Sequence, residues 1–270
     1  MSFYPFERIA ALAKTRAVLR GGGWTNRSRE AYPCLQLAIQ METGHIRFLA
    51  LPTPTSDPCD EHDLLRVRLQ KYPDIEFHSV GTGQIWPSTD EILTALAWAN
   101  MLVVPGGNFT DYMKLIKDPI VADALKEGFI SGRMRVMGSS NGTVSWFDRV
   151  QTADLPARYG GGAGRNYWTT PGLGVIPGFV CAHYNERNEY TGIARSTIFQ
   201  KMLMQQPAGT IGFGIDTQAA IVLDEGMFSV FTRERYAHVQ QLTVKGNGEL
   251  QISRLTQDDK PTPLERLFAS

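Results

Sequence analysis

From residue 17 to residue 144, short apolar runs alternate with amphipathic stretches, and three of the runs end in glycine turns. Residues 17–20 run into Gly21-Gly22-Gly23, residues 101–104 into Pro105-Gly106-Gly107, and residues 134–137 into Gly138-Ser139-Ser140-Asn141-Gly142. Further strands are expected at 46–51 and 75–80, and helices at 33–43, 60–72, 92–99, 110–116 and 121–130. Ser88-Thr89-Asp90-Glu91 reads as a capping box opening the third of these helices. The run 101–104 is apolar at every position, which suits a central strand covered on both faces. Strand–helix alternation of this kind predicts an α/β fold built on a parallel sheet, with ligands at the strand carboxyl ends.

The third glycine turn carries the chemistry. Gly138 and Gly142 flank Ser140 at two residues on either side. A nucleophile on a strand-to-helix elbow takes a strained backbone, and only small neighbours let the chain pass so closely. The helix that follows would turn its first N–H groups back toward Ser140, where an oxyanion would form. The plainer reading is a glycine- and serine-rich loop of any parallel sheet. Gly21-Gly22-Gly23 lacks the spacing of a phosphate-binding loop.

Beyond the elbow the alternation loosens. Residues 159–164 read as a flexible glycine loop, 173–176 and 179–181 as strands, and 194–204 as a helix. Antiparallel strands are expected at 211–216, 219–223 and 227–232, with a last hairpin at 238–244 and 249–254. No linker is evident, so 1–270 is read as one catalytic domain. It would have an N-terminal arm (1–15), in which Ile9, Leu12 and Ala13 could dock, and a C-terminal tail (256–270).

A serine hydrolase needs a histidine within reach of the hydroxyl and an acid that orients the histidine. Of the five histidines, His45, His62, His78 and His238 read as structural or solvated, whereas His183 ends an apolar run downstream of the elbow. Even His183 has the bland alternative of a capped strand end. Asp154 follows the elbow segment and Asp216 ends a glycine-rich strand; the residues alone do not choose between them. One oxyanion donor would be the N–H of Asn141, and the Gly106-Gly107 turn is the best source of the second. The chain has no His-Glu-x-x-His helix, His-x-x-x-His pair or carboxylate cluster at ligand spacing, so neither metal nor cofactor is expected.

Lys and Arg total 27, as do Asp and Glu, giving zero net charge, which argues against nucleic acid or an anionic membrane as partner. Three cysteines without a C-x-x-C, no basic-then-apolar leader and no membrane-length apolar run lead us to expect a cytoplasmic chain. The expected partner is a small peptide substrate, and a homodimer is left open.

An ordered set of segments resembles the peptidase E and cyanophycinase family of serine peptidases. It comprises Leu19 to Trp24, Leu49 to Thr53, Val103 to Asn108, Gly138 to Gly142, Pro177 to Tyr184 and Gly212 to Asp216. The resemblance implies a three-layer sandwich of the class I glutamine-amidotransferase-like kind, with a mostly parallel central sheet and a small antiparallel C-terminal portion. It implies Ser140 as nucleophile, His183 as base and Asp154 as acid, with Gly107 and Asn141 at the oxyanion. Asn108 and an arginine, Arg195 first and Arg187 second, would hold the substrate's Asp side chain. Cyanophycinase-like members place a Glu directly after the Gly-Ile-Asp, and Thr217 stands there instead. Other departures are Asn141 for the usual Ala, Ala182 for the usual Pro, and a longer stretch at 159–170. The implied activity is hydrolysis of dipeptides with N-terminal Asp. The alternatives are a cyanophycinase-like β-aspartyl hydrolase and a non-catalytic relative that keeps the pocket.

Overall fold

The structure is a computed structural model and describes residues 4–22, 33–41, 44–51, 65–81, 86–107, 109–153, 167–187, 191–256 and 260–269. Its first half follows the alternation in the sequence. The order is α1 (Phe6–Ala10), β1 (Arg16–Arg20), α2 (Pro33–Gln40), β2 (Ile46–Ala50), β3 (Ile75–Ser79), α3 (Thr89–Trp98), β4 (Met101–Val104), α4 (Phe109–Lys117), α5 (Pro119–Ile130), β5 (Arg135–Ser139) and α6 (Asn141–Val144). Residues 65–69 are also helical. The expected capping box forms: Ser88 Oγ accepts from the Glu91 N–H at 3.3 Å, and Glu91 Oε2 accepts from the Ser88 N–H at 2.7 Å. Asp118 caps α5, where Pro119 takes the first helical position.

The second half contains β6 (Phe147–Ala153), β7 (Tyr167–Pro171), β8 (Ile176–Ala182), α7 (Arg195–Met204), β9 (Ile211–Ile215), β10 (Ala219–Asp224), β11 (Met227–Thr232), β12 (Val239–Val244), β13 (Leu250–Leu255) and β14 (Thr262–Pro263). A 3-10 turn over Leu264–Phe268 follows. The runs expected at 173–176 and 179–181 merge into the single strand β8. The expected glycine loop at 159–164 and His62 lie outside the described residues.

The strands form two mixed sheets, where the expectation was a mostly parallel central sheet with a small antiparallel C-terminal portion. The first has the order β14-β11-β10-β1-β5-β4-β2-β3, and the second β13-β12-β9-β8-β6-β7. Parallel neighbours occupy the run β1-β5-β4-β2-β3 in one and β9-β8-β6 in the other, and antiparallel strands flank both runs. The physical reason is connection length. β10–β11 and β12–β13 are hairpins whose short turns permit only antiparallel neighbours, and β10 and β12 then run antiparallel to β1 and β9.

Alternate residues of the parallel strands face opposite ways. Leu19, Leu49, Leu102 and Val136 join a core with α3, α4 and α5 that continues into the second sheet through Trp146, Val180 and Phe213. Val18, Phe48, Met101 and Met137 join a separate cluster with Leu35 and Ala38 of α2 and with Leu65 and Leu69. The first sheet is therefore covered on both faces. Among the described residues no helix is long and apolar enough to cross a membrane.

The arrangement gathers strand ends. Leu19 and Val104 both pair with Gly138, which brings the turns after β1 and β4 beside Ser140. In the second sheet Ala182 pairs with Ile215, so His183 and Thr217 leave it side by side. The sheets join at these carboxyl ends, where the His183 N–H donates to the Gly21 carbonyl at 2.9 Å.

Candidate active site

Ser140 has φ 53° and ψ −118°, outside the conformations an L-residue adopts without strain. The glycines around it are demanded by backbone. A Cβ on Gly142 would lie 2.0 Å from the Val104 carbonyl oxygen, and one on Gly138 would lie 2.7 Å from that of Gly142. The amides of Thr143 and Val144 donate to the Ser140 carbonyl. The helix after the elbow is shorter than the sequence suggests, four residues in α6. So few peptides make little macrodipole, and the positive field near Ser140 comes from individual N–H groups.

His183 faces the serine. Its Nε2 is 2.9 Å from Ser140 Oγ. Its Nδ1 is 2.7 Å from Glu186 Oε1 and 2.9 Å from Thr217 Oγ1, and Thr217 Oγ1 donates to the same Glu186 oxygen at 2.6 Å. An ionised carboxylate only accepts, so the Nδ1 proton points to Glu186 and leaves the Nε2 lone pair for the serine hydroxyl. His183 is itself at positive φ, 53°, and its side chain is half-buried. The Gly21-Gly22 turn packs against it: a Cβ on Gly22 would stand 2.0 Å from His183 Cε1.

Burial alone would raise the Glu186 carboxyl. Hydrogen bonds from His183 and Thr217, with the charges of His183 and Arg195, outweigh it and hold the group down at about 2. Sequence reasoning missed Glu186. The only signal was a His-x-x-Glu spacing in a turn, which a turn alone does not distinguish from a solvated pair.

Of the two acids weighed from sequence, Asp216 is placed elsewhere. Its Oδ2 accepts from the His238 N–H at 2.9 Å, and its backbone N–H donates to the His238 carbonyl, so it fastens β9 to β12. Burial raises its carboxyl, against hydrogen bonding and charge at His238. Asp154 and Asn108 lie outside the described residues. His45 pairs with Glu76 at the surface, and His78 packs edge-on against Trp98.

The Gly106-Gly107 turn stands against the serine, with a Cβ position on Gly106 3.2 Å from Ser140 Cβ. Gly107, at φ 153°, has its carbonyl held by the side-chain amide of Asn141. Arg195 opens α7, is 6% exposed, and lays its guanidinium 5.2 Å over the Tyr167 ring. Its Nε is buried without a hydrogen-bond partner among the described residues. Its backbone N–H donates to the Glu186 carbonyl at 2.8 Å, which ties α7 to the turn after the histidine. Arg187 is exposed and donates to the Gly192 carbonyl.

The fold as a whole is similar to that of solved peptidases. A peptidase from an acI-B1 Actinobacterium superposes with a TM-score of 0.63 at 17% identity, covering 92% of this chain and 96% of that one. A putative peptidase E protein from Listeria monocytogenes EGD-e gives 0.50 at 16% identity, with 90% and 99% covered. The family model of Peptidase family S51 matches residues 63–231. The chain belongs to that family, the peptidase E family. No curated protein matches the sequence closely enough to count as a relative.

Proposed function

We propose that this chain is a serine peptidase acting on small peptides with an N-terminal aspartyl residue. The observation that carries the serine mechanism is the 2.9 Å contact between His183 Nε2 and the Oγ of a serine held at positive φ. Ser140 Oγ attacks the scissile carbonyl carbon while His183 Nε2 takes the hydroxyl proton. Glu186 accepts from Nδ1–H and stabilises the imidazolium that forms. The N–H groups of Asn141 and Gly107 receive the oxyanion of the tetrahedral intermediate. On collapse Nε2 gives its proton to the leaving amine, and water then hydrolyses the acyl-enzyme by the same route in reverse.

The aspartyl preference rests on Arg195. A chain of zero net charge cannot select an anion at long range, so selection needs a local cation. A buried guanidinium whose Nε has no hydrogen-bond partner among the described residues, at the first turn of a ten-residue helix, fits a carboxylate in two-pronged fashion.

The experiment is a fluorophosphonate probe combined with a panel of Asp-X, isoaspartyl and β-aspartyl-arginine peptides. Labelling should be abolished by Ser140→Ala, and Asp-X peptides should turn over fastest. Arg195→Met should cost Asp-X cleavage ~2–4 kcal/mol in kcat/KM, the scale for removing one partner of a desolvated charge pair, with labelling of Ser140 nearly kept. Labelling that survives Ser140→Ala would sink the serine assignment, and faster turnover of β-aspartyl peptides would overturn the substrate.

A further inference from the structure

We infer that Thr217 is a positioning residue of this site: its hydroxyl locks the Glu186 carboxylate onto His183 Nδ1. The inference rests on the reading of Ser140 and His183 as nucleophile and base. Glu186 rides on the turn directly after the histidine, and its side chain is 43% exposed. A glutamate with three free torsions at such a site would wander among rotamers unless something held it.

Its hydrogen-bond partners supply the hold. Glu186 Oε1 takes two donors, His183 Nδ1 at 2.7 Å and the Thr217 hydroxyl at 2.6 Å. The proton count has one solution. Nε2 must accept from Ser140, so Nδ1 carries the ring proton and shares it between Glu186 Oε1 and Thr217 Oγ1. The single hydroxyl proton of Thr217 must then go to the carboxylate, which cannot donate. One oxygen thus accepts from the base and donates to the acid, closing a three-membered ring of hydrogen bonds.

The backbone around the ring is fixed from both sides. Thr217 N–H donates to Asn185 Oδ1 at 3.0 Å, Glu186 N–H to the His183 carbonyl at 3.0 Å, and Arg195 N–H to the Glu186 carbonyl at 2.8 Å. Asp216, the residue before Thr217, is itself fastened to His238. Thr217 is therefore rigid, and its branched Cβ restricts the hydroxyl further. A valine there keeps the shape and loses the hydroxyl, whereas a serine keeps the hydroxyl.

The test is a double-mutant cycle read by the second-order rate of fluorophosphonate labelling at Ser140. Thr217→Val should slow labelling by roughly ten- to a hundredfold, the scale of a hydrogen bond to a charged group. Thr217→Ser should stay within about threefold of the parent rate, since the donor is kept. In a Glu186→Gln background Thr217→Val should cost clearly less than in the parent, because the hydroxyl acts mainly through the carboxylate and keeps there only its direct contact with Nδ1.

A Thr217→Val protein that labels at the parent rate overturns the inference. So does an equal loss in the Glu186→Gln background, which would mark an independent structural role. Nitrogen NMR of the His183 ring decides the matter without any turnover. The parent should hold the proton on Nδ1 alone, and Thr217→Val should mix the two tautomers. A ring spectrum that Thr217→Val leaves unchanged would refute the inference, while an unlabelled parent with a Thr217-dependent ring would fail only the peptidase reading.

Discussion

Gly22 sits with its Cα over the imidazole of His183, at φ +145°, and a Cβ there would meet Cε1, Nε2 and Nδ1 at 2.0, 2.5 and 2.6 Å. The ring is the movable partner, so Gly22→Ala should push it away and break its contacts with Ser140 and Glu186 together. A displacement of about 1 Å at a catalytic base costs roughly a hundredfold. The expected outcome is at least that loss in kcat/KM, with the chain still folded by circular dichroism. Parent-like activity would show that the ring position is not what the site depends on.

A second outcome at this scale concerns pH. Glu186 is depressed to about 2, so its contribution is complete above the ordinary carboxylate range and lost only as pH falls toward 2. The acid limb of kcat/KM should therefore not be the titration of Glu186. In Glu186→Gln the imidazolium that forms during attack loses its anion. The plateau should drop by roughly two to four orders of magnitude, as when a triad acid is replaced by its amide. An unchanged plateau would remove Glu186 from the mechanism.

At the scale of elements, the elbow is a backbone crossing rather than a loop. A Cβ on Gly142 would lie 2.0 Å from the Val104 carbonyl oxygen and 2.6 Å from that of Pro105, and backbone at both contacts cannot yield as a side chain can. Gly142→Ala should destabilise the chain by about 3 kcal/mol or more, the upper range for overpacking, measured by urea denaturation. Gly106→Ala, whose Cβ would come no nearer than 3.2 Å to Ser140, should stay folded and lose activity instead. Equal stability losses in the two variants would refute the distinction.

These crossings explain what the sequence made legible. Glycines at 138 and 142, and the turns after β1 and β4, are local chemical demands written into residue types. The run 101–104, apolar at every position, likewise declares its burial. What was not legible depends on contacts far along the chain. β6 buries Gln151 and Thr152, with Gln151 Oε1 2.8 Å from Cys181 Sγ, so its pattern reads as polar although it lies inside. Glu186 acquires its place only when Thr217, thirty-one positions on, closes against it. Asp216 looked equally apt in the sequence, and only the pairing of β9 with β12 shows it turned to His238.

For the whole molecule, the question is what joins the N-terminal arm to the second sheet. Ile9 and Leu12 enter the main core, and Tyr4 packs edge-on against Phe268, 6.3 Å between centroids. Arg8 adds a two-pronged pair to Asp148 at 2.9 and 2.6 Å and donates to the Gly174 carbonyl at 2.8 Å. Asp148 also accepts from the Gly178 N–H at 3.2 Å. This clamp lies at the amino ends of β6 and β8, whereas Ser140 and His183 lie where strands end. Stability and chemistry should therefore separate. The pair is about two-thirds buried, with side-chain exposures of 35% and 27%, so its Coulomb gain is partly screened. Arg8→Met should cost ~1–2 kcal/mol and lower Tm by roughly 2–6 °C. Asp148→Asn should cost a similar amount, and the double variant less than the sum, since the two share one interaction. Below the transition, the labelling rate of Ser140 in Arg8→Met should equal the parent rate. A slowed rate at unchanged Tm would mean that the arm reaches the site, and additive costs in the double variant would mean that Arg8 acts mainly through Gly174.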